Sequence, residues 1–420
     1  MTSHLPARPI DESSSWLRAE TSRVPASPRP SVCFVAPNAY AMLSEPEDVT
    51  HGGGAERQQV LLAEELVRRG HRVSFVVLDH GQSDGGEIRG IRIFKCYSVE
   101  RGLRGLRFFH PRLTGLWNAM ARADSDVYYQ RGAGSETGLV AHWCRRQARA
   151  FIFAVANETT CMRVSPFLTK RSDRVLFRYG LRRADAVIAQ SLRQQHLLGE
   201  AFGIGSTVIR SFCGWSPEAN ELGTPEDERP GSVLWAGRLS EEKRPEWVIR
   251  LARELPDCRF DVVGQCDVAS AYGRNLASQL TSLPNLRWHG YVPHARMGAL
   301  YREARLLLCT SESEGFPNVF LEAWSCGRPV LTTVDPDDIV ATFQLGQVAT
   351  DYTAMRQRLG ALDAQRAIWE EAGRRGRDYV RQHHGTAVAG DAMEAVVRRC
   401  QEVTRLRRSR VARLFVKELP

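Results

Sequence analysis

Three short stretches of the 420-residue chain carry residue types and spacings suited to phosphate chemistry. Gly52-Gly53-Gly54-Ala55-Glu56 stands directly before a run with Val60, Leu61, Leu66 and Val67 at helical spacing. Glycines let the backbone approach a ligand closely, and a helix start offers free N–H groups of partial positive charge. A diphosphate fits such a place, and so does an ordinary turn. Gly237-Arg238-Leu239-Ser240-Glu241-Glu242-Lys243 likewise leaves a strand-like run and enters a helix. The planar fork of Arg238 suits phosphate oxygens and Lys243 supplies a point charge. In a cleft of low dielectric the two would neutralise charge growing on a departing diphosphate, as Mg²⁺ does elsewhere; the alternative is a surface Arg and Lys beside a turn. The third stretch, Ser313-Glu314-Gly315-Phe316-Pro317-Asn318-Val319-Phe320-Leu321-Glu322-Ala323, follows the apolar run Leu306 to Cys309. Its Gly-Phe-Pro turn points backbone N–H groups at whatever lies at the helix mouth. Glu314 falls in the loop and Glu322 inside the helix, deeper, where a carboxylate accepts paired hydrogen bonds from a ribose. Alternatively they are a cap and a surface residue.

The elements that must hold these stretches follow from periodicity. Ser31 to Ala36, Gly54 to Arg69 and Val73 to Leu78 read as strand, helix, strand, and Asp126 to Tyr129, Phe151 to Val155 and Ala186 to Ala189 continue the series. Parallel strands joined by right-handed helical crossovers build a doubly wound sheet. Residues 213–230, rich in Gly, Pro, Ser and acidic types, read as a linker. Beyond it Val233 to Ala236, Phe260 to Val263, Leu286 to His289, Leu306 to Cys309 and Val330 to Thr333 alternate with helical runs. The expected organisation is a leader without fixed structure over 1–30, a first α/β domain over 31–212, the linker, a second α/β domain over 231–386, a helix over 387–405 and a basic tail over 406–420.

Bulk properties agree with two ordinary folded domains facing a cleft. The chain is 43% hydrophobic and 25% charged, near globular averages. It has no uninterrupted apolar run of the ~18 residues that a membrane span requires. Residues 2–30 lack the apolar core of a secretory signal. Ten cysteines without any CxxC pair argue against zinc and fit a reducing, cytoplasmic setting. The net charge of +9 favours polyanionic partners without choosing among nucleotides, anionic lipid and nucleic acid, and a solvated surface accounts for it equally. No stacking strip or recognisable module supports nucleic acid.

Gly237-Arg238 with Lys243, Glu314 and Glu322 seven residues apart, and Gly52-Gly-Gly-Ala-Glu together resemble the retaining glycosyltransferase family 4. The likeness runs from about Val32 to about Arg399 and is most specific over Glu314 to Pro329. It implies the GT-B architecture, two Rossmann-like domains facing a central cleft, and sugar transfer from a nucleotide diphosphate sugar without a metal. It implies that Arg238 and Lys243 hold the donor pyrophosphate, that Glu322 binds the ribose and that Glu314 lies against the donor sugar without forming a covalent adduct. The turn from Gly315 through Phe316 and Pro317 to Asn318 is implied to lie beside sugar and phosphate, its N–H donors coming from Gly315, Phe316 and Asn318 because proline has none. Gly53 and Gly54 would close on the phosphates, Tyr291 and Val292 would border the base, and the final helix would return to the first domain.

The chain departs from the family's pattern after Phe151 to Val155, where many members carry a His-Asp pair and this one has Asn157 and Glu158. These two are the acceptor-side candidates; a solvated Glu158 is the plainer alternative. Asp335-Pro-Asp-Asp-Ile also replaces a Gly-Gly-Ile-Pro-Glu type turn. A glycan or lipid-linked acceptor at the inner face of a bacterial membrane is the class habit. Arg101, Arg104, Arg107 and Arg112, interleaved with Leu103, Leu106, Phe108 and Phe109, would suit an anionic lipid interface or simply cap the domain. A nucleotide-sugar epimerase and a non-catalytic nucleotide-sugar-binding protein are the rival readings.

Overall fold

The computed structural model describes residues 29–44, 53–100, 108–163, 168–214 and 231–416, with side chains as far as residue 409. Residues 1–28 of the leader expected over 1–30, most of the linker, and residues 101–107 of the Arg-apolar stretch lie outside these described residues. Two parallel sheets form, each the core of an α/β domain.

The first sheet contains β1 (Val32–Val35), β2 (Val73–Val77), β3 (Glu87–Ile88), β4 (Ile91–Lys95), β5 (Val127–Arg131), β6 (Ala150–Ala154), β7 (Ala186–Ala189) and β8 (Thr207–Val208). Their order is β3-β4-β2-β1-β5-β6-β7-β8, parallel except for the β3–β4 pair. Strands buried on both faces read as continuous apolar runs, as in Val-Cys-Phe-Val of β1 and Ala-Phe-Ile-Phe-Ala of β6. The register places Phe34 between Phe75 and Tyr129, and its ring lies 4.9 Å from each.

The second sheet contains β9 (Ser232–Ala236), β10 (Phe260–Val263), β11 (Leu286–Trp288), β12 (Ala304–Cys309), β13 (Val330–Thr332) and β14 (Gly346–Val348). Its order, β11-β10-β9-β12-β13-β14, is parallel throughout. In both sheets the chain winds outward in two directions from a central strand, β1 in one and β9 in the other. Such reversals leave a crevice at the carboxyl ends of the strands. Gly53-Gly54 lies between β1 and β2, Arg238 and Lys243 follow β9, and Glu314 follows β12, so the loops singled out by residue type leave the central strands.

One helix, Thr386–Val416, runs back across the first domain. Ala389, Met393, Val396, Val397 and Cys400 join the core beneath the helix Gly54–Arg68. Arg69 binds Asp391 at 2.6 Å and Glu394 at 3.1 Å. The expected break at 405 is absent, and the tail read over 406–420 is helical as far as 416. The physical reason is a docking site: Arg407 donates to the carbonyl of Arg149 at 2.8 Å and to Asp185 at 2.9 Å, so this part of the helix is held on the first domain. Among the described residues no helix is long and apolar enough to cross a membrane.

Candidate functional site

The loops after β9 and β12 are stitched into one structure. Thr310 accepts from the indole N–H of Trp235 at 3.0 Å and donates to the carbonyl of Lys243 at 2.5 Å. Arg244, in left-handed backbone at φ 47°, donates to the carbonyls of Thr310 and Ser311 at 2.7 and 2.8 Å. Beneath them Gly264 at φ 148° permits a contact no other residue allows, since a Cβ there would lie 1.8 Å from the carbonyl oxygen of Gly237. On this platform Lys243 forms an ion pair with Glu314, and the hydroxyl of Ser311 donates to the same carboxylate oxygen at 2.6 Å. Both side chains of the pair are mostly buried.

Arg238 is placed differently. Its side chain is 75% exposed, and among the described residues it pairs with Glu242 at 3.5 Å. The two expected cations therefore leave the same strand, but only Lys243 is tied to Glu314.

Glu322 sits on the inner face of the helix Asn318–Ser325. It accepts from the hydroxyl of the fully buried Tyr301 at 2.6 Å, and His294 Nδ1 lies 3.6 Å away. Burial pushes the Glu322 carboxyl up to about 6, opposed by the Tyr301 hydrogen bond and by the Arg57 cation. Burial pulls His294 down to about 4, aided by Arg57, so at neutral pH the His294–Glu322 contact joins a neutral imidazole to a carboxylate. Arg57 comes from the other domain, on the helix that follows Gly53, and its Nε is buried with no acceptor among the described residues.

The glycine turns meet across the cleft. Asn318 Nδ2 donates to the carbonyl of Gly54 at 2.8 Å, and a Cβ on Gly54 would lie 2.8 Å from that nitrogen. Glu56 serves its own helix, accepting from the N–H of Gly53 at 3.0 Å. Gly315 presses on the end of the first sheet, where a Cβ would lie 2.6 Å from the carbonyl oxygen of Ala156. Phe316 is buried with its ring 5.0 Å from that of His384, at the point where the chain crosses back. Pro317 caps the helix Asn318–Ser325, Tyr291 stands partly exposed after β11, and Val292 packs on the second domain's core.

Asn157 and Glu158 are near this junction but already engaged. Asn157 Oδ1 accepts from the N–H of Thr160 at 3.0 Å and from both threonine hydroxyls, Thr159 and Thr160, at 2.8 Å. Glu158 pairs with Arg193 at 3.1 Å. Asp337, within the altered Asp335-Pro-Asp-Asp-Ile turn, reaches the other domain and accepts from the N–H groups of Leu192 and Arg193 at 2.8 and 2.9 Å. Arg112 of the Arg-apolar stretch turns inward onto Glu136 instead of outward.

Residues 53–212 match the model of the glycosyl transferase 4-like domain, and residues 230–361 match that of the glycosyl transferases group 1. The chain belongs to the group 1, family 4 glycosyltransferases. The D-inositol 3-phosphate glycosyltransferase of Mycobacterium tuberculosis is 36% identical to this glycosyltransferase over 114 residues, a match covering 26% of the chain and only 23% of the relative. Among solved structures, sucrose-phosphate synthase from Thermosynechococcus elongatus superposes with a TM-score of 0.72 at 18% identity, over 88% of this chain and 98% of that one. HepE from Anabaena, solved in complex with UDP, gives 0.63 at 15% identity over 87% and 99%. These likenesses establish the GT-B fold of the glycosyltransferase, the two facing Rossmann-like domains expected from its sequence.

Sequence reasoning missed Arg57, His294, Tyr301, Arg244 and Ser311. Arg57 follows the Gly-Gly-Ala-Glu motif directly, which is a usable signal; Tyr301 lies on the apolar face of its helix with Met297, where periodicity marks a core residue but not a partner for Glu322, and the other three stand where periodicity marks nothing.

Proposed function

We propose that the chain is a retaining, metal-independent glycosyltransferase that moves a sugar from a nucleotide diphosphate donor to an acceptor hydroxyl. The observation that carries this reading is the Lys243–Glu314–Ser311 cluster at the ends of the central strands β9 and β12, with Gly54 closing on Asn318 from the other domain. In this reading the donor diphosphate lies between Lys243 and Arg238. Arg238 is exposed and loosely held, so it is free to swing onto phosphate oxygens. The two cations offset the charge that appears as the bond from the sugar's anomeric carbon to the phosphate oxygen breaks. Glu322 accepts the ribose hydroxyls, Glu314 orients the donor sugar, the N–H groups of Gly315, Phe316 and Asn318 take sugar or phosphate oxygens, and Tyr291 and Val292 border the base. The acceptor oxygen attacks from the face the phosphate leaves, and its proton passes to the departing phosphate oxygen. No enzyme nucleophile is involved. The net charge of +9 supports work on acceptors near an anionic inner-membrane surface, in cell-surface polysaccharide or glycolipid synthesis.

The test is a thermal-shift screen against nucleotide sugars, followed by transfer in excess EDTA with the product's anomeric configuration read by NMR. A stabilising donor, EDTA-resistant turnover and a retained anomer are expected. The proposal fails if no nucleotide sugar stabilises the chain, if EDTA abolishes a turnover that Mg²⁺ restores, or if the anomer inverts.

A further inference from the structure

The first sheet has a switch point of its own, between β1 and β5, and a cavity of about 650 Å³ opens there. Its lining comes wholly from the first domain, chiefly the ends of β1 and β5, the start of the helix Gly54–Arg68 and the segment after β4. It also adjoins the donor-side turn. Gly132 in its wall sits 3.7 Å from Ala156, measured from a Cβ built on the glycine, and the carbonyl of Ala156 is what Gly315 presses upon.

Charge in this cavity is unevenly matched. Arg112, Arg131 and Lys170 face Glu56 and Glu136. Both carboxylates are engaged, Glu56 with the N–H of Gly53 and Glu136 with Arg112. Among the described residues Arg131 and Lys170 have no carboxylate partner. The guanidinium of Arg131 reaches the hydroxyl of Tyr129, yet its Nε is buried without an acceptor, as is that of Arg112. Buried N–H groups left unpaired are costly, and a charged donor most of all. Tyr97 and Phe108 add aromatic surface of the kind that packs on the C–H face of a sugar ring.

We propose that this cavity is the acceptor subsite, and that the acceptor is a sugar or polyol bearing an anionic group, a phosphate or carboxylate, bound by Arg131 and Lys170. The inference rests on the glycosyltransferase reading and adds the acceptor's chemical class. The acceptor hydroxyl then points past Gly132 toward the Glu314-Gly315 turn.

The experiment titrates the full chain, saturated with its donor nucleotide diphosphate, with matched probes: glucose against glucose 6-phosphate and glucuronate, and myo-inositol against myo-inositol phosphate and phosphatidylinositol vesicles. At least one anionic probe is expected to bind about 10- to 100-fold more tightly than its neutral parent, the weight of charge-assisted hydrogen bonds. Preference for the soluble phosphate or for the vesicle separates a free sugar phosphate from a lipid headgroup. Arg131→Gln is expected to erase the anionic preference and Arg131→Lys to restore part of it. Lys170→Gln, at the exposed rim, gives the same reading should Arg131→Gln melt early. Equal affinity for neutral and anionic probes, no binding of any anionic probe, or a preference that survives both substitutions overturns the proposal. Stabilisation by nucleotide, measured separately, reports on the donor site alone: its absence in the wild type sinks the transfer reading, whereas its persistence with indifferent acceptor binding sinks only this one.

Discussion

Glu322→Gln isolates one carboxylate whose environment makes its protonation measurable. The rise of its pKa from 4.5 to about 6 corresponds to about 2 kcal/mol, at about 1.4 kcal/mol per tenfold change. Because the folded value lies above the unfolded one, the folded chain holds the proton more tightly. That stabilisation is complete below pH 4.5 and is lost as pH rises through 6. The glutamine variant lacks this contribution, so the stability difference between wild type and variant should change by about 2 kcal/mol between pH 4.5 and 7, as read by denaturant titration. Ligand binding should run the other way. A ribose donates to the ionised form, so nucleoside affinity in the wild type should fall about tenfold per pH unit below 6, while the variant stays flat. A nucleoside is the right probe because the phosphates of a nucleotide titrate in the same window. Near neutrality the titratable groups touching Glu322 do not interfere: burial holds His294 at about 4, and Tyr301 is pushed well above its usual range. A flat wild-type profile between pH 5 and 7, or an identical fall in the variant, would refute the ribose assignment.

Arg238→Ala and Lys243→Ala should each lower turnover by about 10²-fold or more, yet differ in stability. The exposed Arg238 should cost under about 0.5 kcal/mol, whereas losing Lys243 strands a mostly buried Glu314 and should cost about 1 to 3 kcal/mol by thermal melting. Gly315→Ala places a Cβ 2.6 Å from a backbone oxygen that cannot yield, so the turn must shift. Turnover should drop by about 10²-fold with the nucleotide affinity of the second domain kept within a few-fold, measured by calorimetry and product release. Gly264→Ala, at 1.8 Å from the Gly237 carbonyl and φ 148°, should cost more than about 4 kcal/mol and yield poorly folded protein, read as loss of a cooperative melt.

The meeting of Lys243 and Glu314 was legible because its parts are local. Lys243 and Glu314 each stand a few residues beyond a continuous apolar strand, and their meeting follows once β9 and β12 are neighbours. The helix Gly54–Arg68 could be placed from its apolar face, but periodicity does not tell that Arg57 on another face meets a different domain. Short strands were lost because they carry little pattern: β4 has five residues whose alternation breaks at the buried pair Ile93-Phe94, and β14 has three, one of them Gly346 at φ 158°. The first-domain cavity escaped because it is assembled from loops scattered between Val35 and Lys170, none bearing a dense motif. Attention fell instead on Asn157 and Glu158, which follow a strand in the right place, but their side chains are taken up by a local cap and by Arg193.

The contacts between domains also bear on how the site assembles. Asn318 on the carbonyl of Gly54 and Asp337 on the N–H groups that start the helix Leu192–Phe202 are side-chain contacts to backbone groups, while Gly315 meets the Ala156 carbonyl backbone to backbone. Across the same junction Arg57 of the first domain acts on Glu322 of the second, where it favours the ionised carboxylate. Domain contact and ionisation of Glu322 must therefore favour each other, because any cation that lowers a pKa is itself held more tightly by the ionised form. On the proposed ribose assignment, a nucleoside that binds the ionised carboxylate would strengthen the Arg57 contact through the same linkage.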